Sequence, residues 1–93
     1  MIRMAKTANP KTKSIRSSEV EVFGKVLHRL RTAQGLSQEE LGFRSDTNRT
    51  YISDMERGIK EPCLTMLFRI ARALDMAPSL LLRPIEEIVM RRK

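Results

Sequence analysis

The chain has 93 residues, a formal net charge of +7 and an isoelectric point near 10.3, which predicts one small domain with an acidic partner, nucleic acid first among the candidates. No apolar run approaches the roughly 20 residues that cross a bilayer, and the N-terminus lacks the apolar segment of a secretory signal. We therefore expect neither a membrane protein nor an exported one. A single cysteine, Cys63, cannot form an internal disulfide, which favours a cytoplasmic location.

The positive charge is concentrated at the two ends of the chain. Residues 1–18 carry +5 and the last three residues +3, which leaves −1 for residues 19–90. Residues 1–18 also lack apolar periodicity, so we predict a flexible basic arm there. The arm serves either as a solubilising tail or as an additional contact to DNA. In the nearly neutral remainder, basic groups have to be judged by their positions.

Apolar spacing in that remainder predicts an all-α fold. The first helix begins at Ser17 or Ser18 and ends at Gly35, whose glycine supplies the left-handed conformation that follows a helix. Ser37 and Glu40 have the spacing of a capping box, which predicts the start of the second helix.

The third helix is expected from about Arg49 to Arg57, capped by Asn48, and the fourth from about residue 64 to residue 74. Pro78 opens a short fifth helix. Pro84 is expected to interrupt the chain, because proline disrupts a helix interior. We therefore predict a compact five-helix domain over residues 19–83 and an additional helical extension over residues 84–93.

Residues 38–57 predict two short helices that cross at a steep angle around a tight turn. Gly42 lies mid-helix, where glycine costs about 1 kcal/mol relative to alanine, so a close approach of backbones is its expected purpose. Asp46 is the expected residue of positive φ in the turn. Leu41, Ile52 and Met55 are expected in the shared core.

Several spaced features agree with one family. They are "LSQEEL" at 36–41, Gly42, "RTYIS" at 49–53, "ERG" at 56–58 and "RIARAL" at 69–74. In these features the sequence resembles the phage-repressor-like (Xre/Cro) family of helix-turn-helix DNA-binding domains, over about residues 22–82. Within the family it is similar to short stand-alone members such as phage repressors and restriction–modification controller proteins. Asp46, Thr47 and Cys63 depart from the usual residues, which are glycine, an aliphatic residue, and serine or threonine.

The architecture of this family implies that the third helix enters the major groove of DNA. Arg49 is the candidate for bidentate contact with guanine, Thr50 for a hydrogen bond or a methyl contact, and Asp54 for cytosine N4. Asp54 has an alternative, an ion pair with Arg57 three residues later. The expected contacts to the DNA backbone come from Gln38, Asn48, Tyr51, Arg57 and Lys60, with Asn48 also serving as a helix cap.

The same resemblance implies a structural salt bridge between Arg31 and Glu56, linking the first and third helices. His28 is interpreted as a surface residue, because no second histidine or nearby cysteine supports a zinc site or a cysteine–histidine dyad. The consecutive pairs Glu39-Glu40 and Glu86-Glu87 diverge on a helix and form no acid–base pair. We expect no catalytic site, no metal, no cofactor and no small-molecule effector.

Apolar residues beyond those needed for one core predict self-association. The expected homodimer interface comprises Met66, Phe68, Ala73, Leu80, Leu81, Ile85 and Ile88. Alternatively, the last helix folds back and covers this surface within one chain. The sequence therefore predicts a dimeric regulator that reads a roughly palindromic site on double-stranded DNA. Another interpretation is an antitoxin or coactivator that uses the same fold to bind a protein, while RNA binding is disfavoured by the scarcity of aromatic residues.

Overall fold

In the computed structural model, which describes residues 17–91, the chain folds into five α-helices and contains no strand within that range. The helices are α1 (Ser18–Ala33), α2 (Gln38–Arg44), α3 (Arg49–Glu56), α4 (Leu64–Ala73) and α5 (Pro78–Arg91). The prediction of an all-α fold is thereby confirmed. Residues 1–16 of the predicted arm lie outside the described residues.

Side-chain hydrogen bonds determine where the first three helices begin. The side-chain oxygens of Ser17, Ser37 and Asn48 each accept a hydrogen bond from the backbone N–H three residues later, at 2.9–3.1 Å. Ser37 and Asn48 were predicted to start their helices, and Ser17 was one of two candidates, with Ser18, for the start of the first. Cys63 precedes α4 in the same extended conformation but makes no such bond. Since a polar cap stabilises a helix by about 1 kcal/mol, α4 begins with less local support than the other three.

The first four helices all end in the same way. The second residue after each helix has positive φ, with values of 73° at Gly35, 62° at Asp46, 74° at Gly58 and 58° at Asp75. The following N–H then donates to a carbonyl one turn back, as Leu36 does to Arg31 at 3.1 Å. This is the Schellman arrangement, and it satisfies the last carbonyls of each helix. Gly35 and Asp46 were predicted to take these positions, whereas Asp75 was not.

The expected interruption at Pro84 is wrong, because α5 is one continuous helix from Pro78 to Arg91 with Pro84 in its interior. Pro84 lacks the N–H that would bond to the carbonyl of Leu80, and this costs stability locally. Leu81 and Ile85, on either side of the proline, are buried against the rest of the domain. Packing thus holds the helix together where local preference disfavours it, and the last segment is no separate extension.

The core lies where α1 packs on α3 and α5, with α4 in contact with both α2 and α5. The apolar face of α1 is buried at Phe23, Val26 and Leu27, and Val20 and Leu30 are half-buried at its edges. The remaining buried apolar side chains are Val22, Leu36, Leu41, Ile52, Met55, Met66, Ile70, Ala71, Leu74, Leu81 and Ile85. None of the described helices has the length and apolarity required to cross a membrane.

Candidate nucleic-acid interface

The two short helices α2 and α3 are held together by close backbone contact. A Cβ atom at Gly42 would lie 2.7 Å from the carbonyl carbon of Asn48, so only glycine fits at this crossing. The steric prediction for Gly42 is confirmed. Because the obstructing atoms belong to the backbone, a side chain here would displace the start of α3.

The turn between these helices is stabilised from inside. Thr47 N donates to the carbonyl of Gly42 at 2.7 Å, and Asp46 has the positive φ that this requires. Ser45 is only 1% exposed, and its hydroxyl donates to the carbonyl of Leu41 at 2.7 Å. The sequence pattern did not reveal this role for Ser45. With its polar groups satisfied, the turn fixes the direction in which α3 leaves it.

A cluster of charged and polar side chains ties the end of α3 to α1 and α2. Arg31 bonds Glu56 through Nε at 2.5 Å and through Nη2 at 3.0 Å, and its Nη1 donates to the carbonyl of Leu36 at 2.7 Å. Gln38 Nε2 donates to Glu56 Oε1 at 3.0 Å. The side chains of Arg31 and Glu56 are 9% and 6% exposed, so this bidentate pair is largely withdrawn from water.

His28 adds a third group to this cluster. Its Nδ1 lies 3.2 Å from Glu56 Oε1 and 3.2 Å from Arg31 Nη2, although the side chain is 59% exposed. A proton on Nδ1 makes it a donor to the carboxylate, whereas a bare Nδ1 accepts from the guanidinium. The residue does lie at the surface, as expected, but no sequence pattern indicated that it reaches the ion pair.

These contacts determine the ionisation of Glu56. Burial by itself raises the pKa of this carboxyl, but the hydrogen bonds from Arg31, Gln38 and His28 outweigh burial and hold the pKa below its usual value. The hydrogen bond to Glu56 raises the pKa of Arg31. Glu56 and Arg31 are therefore both ionised at neutral pH, and their ion pair fixes the C-terminal end of α3 relative to α1.

The N-terminal end of α3 is open to solvent. Asn48, Arg49 and Thr50 are all exposed, while Ile52 and Met55 on the opposite face are fully buried. Three consecutive polar side chains are thus presented at one end of a helix whose other end is fixed. Such a helix can place side chains against the edges of bases.

The other candidate DNA contacts surround this end of α3. Thr50, Tyr51, Asp54 and Lys60 line one shallow concavity beside the helix. Tyr51 is half-buried against the core, and burial first, then the neighbouring Cys63, raises the pKa of its hydroxyl. Its phenol is accordingly neutral and able to donate a hydrogen bond.

Four candidates already have partners in the free protein: Asp54, Arg57, Gln38 and Asn48. Asp54 Oδ1 lies 3.6 Å from Arg57 Nη1, the alternative that was considered for this carboxylate. Gln38, expected at a phosphate, directs its amide to Glu56. Asn48 uses its side-chain oxygen to cap α3. Arg57 and Lys60 are exposed where the chain leaves α3.

The expected dimer residues are divided between the core and the surface. Met66, Leu81 and Ile85 are 6%, 0% and 7% exposed, so their assignment to an intermolecular surface is wrong. The physical reason is that α5 folds back onto α1 and α4 and buries them within one chain. Ala73 is half-buried against the core. The other three expected residues, Phe68, Leu80 and Ile88, are exposed.

Within residues 17–91, no group of three or more histidine, cysteine, aspartate or glutamate side chains is placed to hold a metal ion. The chemical features that do converge are hydrogen-bonding groups on an exposed helix end and the ion pair behind it. Together with the α2–turn–α3 geometry, they define a helix-turn-helix DNA-binding regulator.

Comparison with known proteins agrees with this class. A family model described as "Helix-turn-helix" matches residues 27–81, more than half of the chain, and the chain belongs to this family of transcriptional regulators. The control protein C.BamHI from Bacillus amyloliquefaciens is 40% identical over 62 residues, which cover 66% of this chain and 76% of that protein. The resemblance to Xre-like domains is thereby confirmed.

Two solved structures show the same fold. The restriction-modification controller protein C.AhdI from Aeromonas hydrophila is 42% identical and aligns with a TM-score of 0.68, covering 70% of this chain and 98% of that one. The clp gene regulator ClgR from Corynebacterium glutamicum is 25% identical, with a TM-score of 0.74 and coverages of 83% and 82%.

Proposed function

We propose that this regulator binds a specific, roughly palindromic DNA site as a homodimer, with α3 of each protomer in the major groove. The observation that carries the proposal is the solvent exposure of the N-terminal end of α3. The opposite, C-terminal end of the same helix is fixed by the ion pair of Arg31 and Glu56. A recognition helix must be presented rigidly, since side chains of loose geometry discriminate poorly between bases.

Arg49 and Thr50 are the proposed base-contacting residues. An arginine guanidinium matches O6 and N7 of guanine, and such a bidentate contact gives about 1–3 kcal/mol of discrimination against a wrong base. Thr50 follows Arg49 on the exposed side of α3 and suits either a hydrogen bond or a thymine methyl group. Asp54 is the third candidate, for cytosine N4, and there cytosine competes with Arg57 for the carboxylate.

The proposed backbone contacts flank this helix on both sides. Tyr51 lies in the first turn of α3, whereas Arg57 and Lys60 follow its last turn, and all three suit contact with phosphates. Gln38 lies at the start of α2 and exchanges its bond to Glu56 for a phosphate, or offers the second hydrogen of its amide. Asn48 retains the amide nitrogen for DNA while its oxygen caps α3.

The dimer is proposed through the apolar side chains that remain exposed after the chain has folded. Phe68 on α4 and Leu80 and Ile88 on α5 are 43%, 50% and 38% exposed. To read two half-sites one turn of DNA apart, the dimer would need its two recognition helices about 34 Å apart, and we propose that a twofold axis through this surface provides that separation. Of the relatives, C.AhdI is named as a restriction-modification controller protein. For this chain we propose only that it regulates transcription of its own gene.

The test is a fluorescence-anisotropy titration of the full chain against the duplex upstream of its own gene, with a scrambled duplex alongside at two salt concentrations. We expect the upstream duplex to bind at least about 1000-fold more tightly. Equal and steeply salt-dependent binding to both duplexes contradicts the proposal, because that behaviour requires only charge. Sedimentation of the protein alone tests the dimer, and a monomer without DNA favours the antitoxin or coactivator interpretation.

Residue-level assignment is tested with Arg49→Ala and, as a matched change of charge, Arg83→Ala on α5, which packs on α1 and α4. Arg49→Ala is expected to weaken specific binding by about 10-fold to 100-fold and to relax the preference at one base pair. Arg83→Ala is expected to leave that preference intact. An equal loss of affinity in both variants would show that Arg49 contributes only charge.

A further inference from the structure

Phe43 is the most exposed large hydrophobic side chain among the described residues, at 83%. It lies on α2, where the preceding Leu41 and Gly42 are both buried. A phenylalanine this exposed on a helix contributes little to the fold, since little of its apolar area is removed from solvent. The residues around Phe43 therefore have to indicate which partner its ring contacts.

Those surroundings are the start of the recognition helix. Phe43 lines one shallow concavity together with Thr47, Asn48, Arg49 and Glu39. Arg49 is the proposed reader of guanine, and it shares this concavity with the phenylalanine ring. A duplex that brings a base to Arg49 must also enter the space in front of Phe43.

We infer that Phe43 is a further DNA-contacting residue, and that its ring packs against an aliphatic group of the operator at the edge of the major groove. The inference rests on the proposed insertion of α3 into that groove. Two groups in DNA have this chemistry, the 5-methyl group of thymine and the carbon atoms of deoxyribose. Apolar contact with the thymine methyl is an established way for phenylalanine to distinguish a base.

The charges at this position favour a base or a sugar over a phosphate. The ring offers no hydrogen bond to a phosphate oxygen, and the exposed carboxylate of Glu39 offsets the positive charge of Arg49 on the same concavity and repels a phosphate placed beside it. Uncharged parts of the DNA are not repelled in this way. The concavity is also continuous with the base-contacting end of α3, which makes DNA the occupant.

Removal of the Phe43 ring should lower the affinity for DNA without changing the salt dependence of binding. Burial of part of a phenylalanine side chain on binding corresponds to about 10-fold to 50-fold in affinity. No phosphate contact is lost, so the dependence of log K on log salt keeps its slope. A residue that acted through backbone charge would change that slope.

The experiment uses the full chain and the duplex that the wild-type protein prefers in the anisotropy assay. Phe43→Ala and Phe43→Leu are compared with Met90→Ala, which shortens another exposed apolar side chain at the far end of α5. We expect Phe43→Ala to bind about 10-fold to 50-fold more weakly, Phe43→Leu to recover part of the loss, and Met90→Ala to bind normally. Circular dichroism should show the same unfolding temperature for Phe43→Ala and wild type.

Each thymine of the duplex is then replaced in turn by deoxyuridine, which removes only the 5-methyl group. A position that weakens wild-type binding, but leaves Phe43→Ala unaffected, identifies that methyl as the partner. If no position behaves in this way while Phe43→Ala still binds weakly at unchanged salt slope, the partner is deoxyribose.

Undiminished DNA binding by Phe43→Ala overturns the inference, and a simultaneous loss of reporter transcription then assigns Phe43 to a protein partner. A change in salt slope also overturns it. A wild-type protein that does not distinguish its preferred duplex from a scrambled one refutes the proposed function itself. That outcome is recognised before any variant is measured, so the two failures are distinguishable.

Discussion

Replacement of Glu56 by glutamine removes one charge from the cluster behind the recognition helix while preserving its shape. Glu56 accepts two hydrogen bonds from Arg31 and one from Gln38, and its side chain is 6% exposed. Hydrogen bonds to a charged partner contribute about 1.5–3 kcal/mol each and neutral ones about 0.5–1.5 kcal/mol. We expect Glu56→Gln to lower the free energy of unfolding by about 1–2 kcal/mol at pH 7. For a domain of this size, each kcal/mol corresponds to about 4–8 °C in the midpoint of thermal unfolding.

The expected loss depends on pH with a definite sign. The pKa of Glu56 is lower in the folded protein than in the unfolded chain, so the ionised carboxylate stabilises the fold above the unfolded value, near 4.5. That contribution is lost as the pH falls through the lower, folded pKa. The difference in stability between wild type and Glu56→Gln should therefore be largest near neutral pH and should shrink below pH 4.5.

The assay is urea unfolding of both proteins followed by circular dichroism from pH 7 down to pH 3. Glu40→Gln is the matched control, because the pair of Glu40 with Arg44 is long, at 3.9 Å, and both side chains are about half exposed. Such a pair contributes at most about 0.5 kcal/mol. The reasoning is refuted if Glu56→Gln is as stable as wild type at pH 7, or if the difference stays constant down to pH 3.

Three further substitutions test backbone geometry and capping. A Cβ atom at Gly24 would lie 2.5 Å from the carbonyl oxygen of Met55, so Gly24→Ala should destabilise by about 1–3 kcal/mol and weaken DNA binding by displacing α3, measured by thermal unfolding and anisotropy. Gly35→Ala meets no atom within 4 Å and should cost only about 1 kcal/mol, from its φ of +73°; equal losses in the two variants would contradict the steric account. Cys63→Ser should supply the missing cap of α4 and stabilise by about 0.5–1 kcal/mol in urea unfolding, and an unchanged midpoint would count against it.

Local sequence predicted the ends of most helices. A cap bonds to an N–H three residues later, and a left-handed residue closes a carbonyl one turn back, so both signals lie within a few residues. Ser37, Asn48, Gly35 and Asp46 were predicted on this basis. Gly42 was also predicted, because a glycine inside a short helix of a two-helix unit already indicates a close crossing.

Pro84 shows where a local rule gives the wrong answer. The rule concerns one lost hydrogen bond and one steric clash, and by itself it predicts an interruption. The structure instead buries Leu81 and Ile85 on both sides of the proline, and the burial of apolar area outweighs the local cost. The same burial removed Met66, Leu81 and Ile85 from the expected dimer surface, because which apolar residues remain exposed depends on where α5 packs.

The sequence by itself determined the all-α fold, the helix-turn-helix unit and the polar end of its second helix, because capping, turn formation and apolar periodicity act between residues close in the chain. Only the tertiary structure decided three other features. His28 contacts the ion pair of Glu56, the absence of a side chain at Gly24 lets the backbone of α3 pack against α1, and Phe43 is exposed to solvent beside Arg49. Each of these depends on residues far apart in the chain or on how the helices pack. The local interactions of these residues are the same whether or not the packing brings them together. A local sequence pattern therefore cannot predict such contacts.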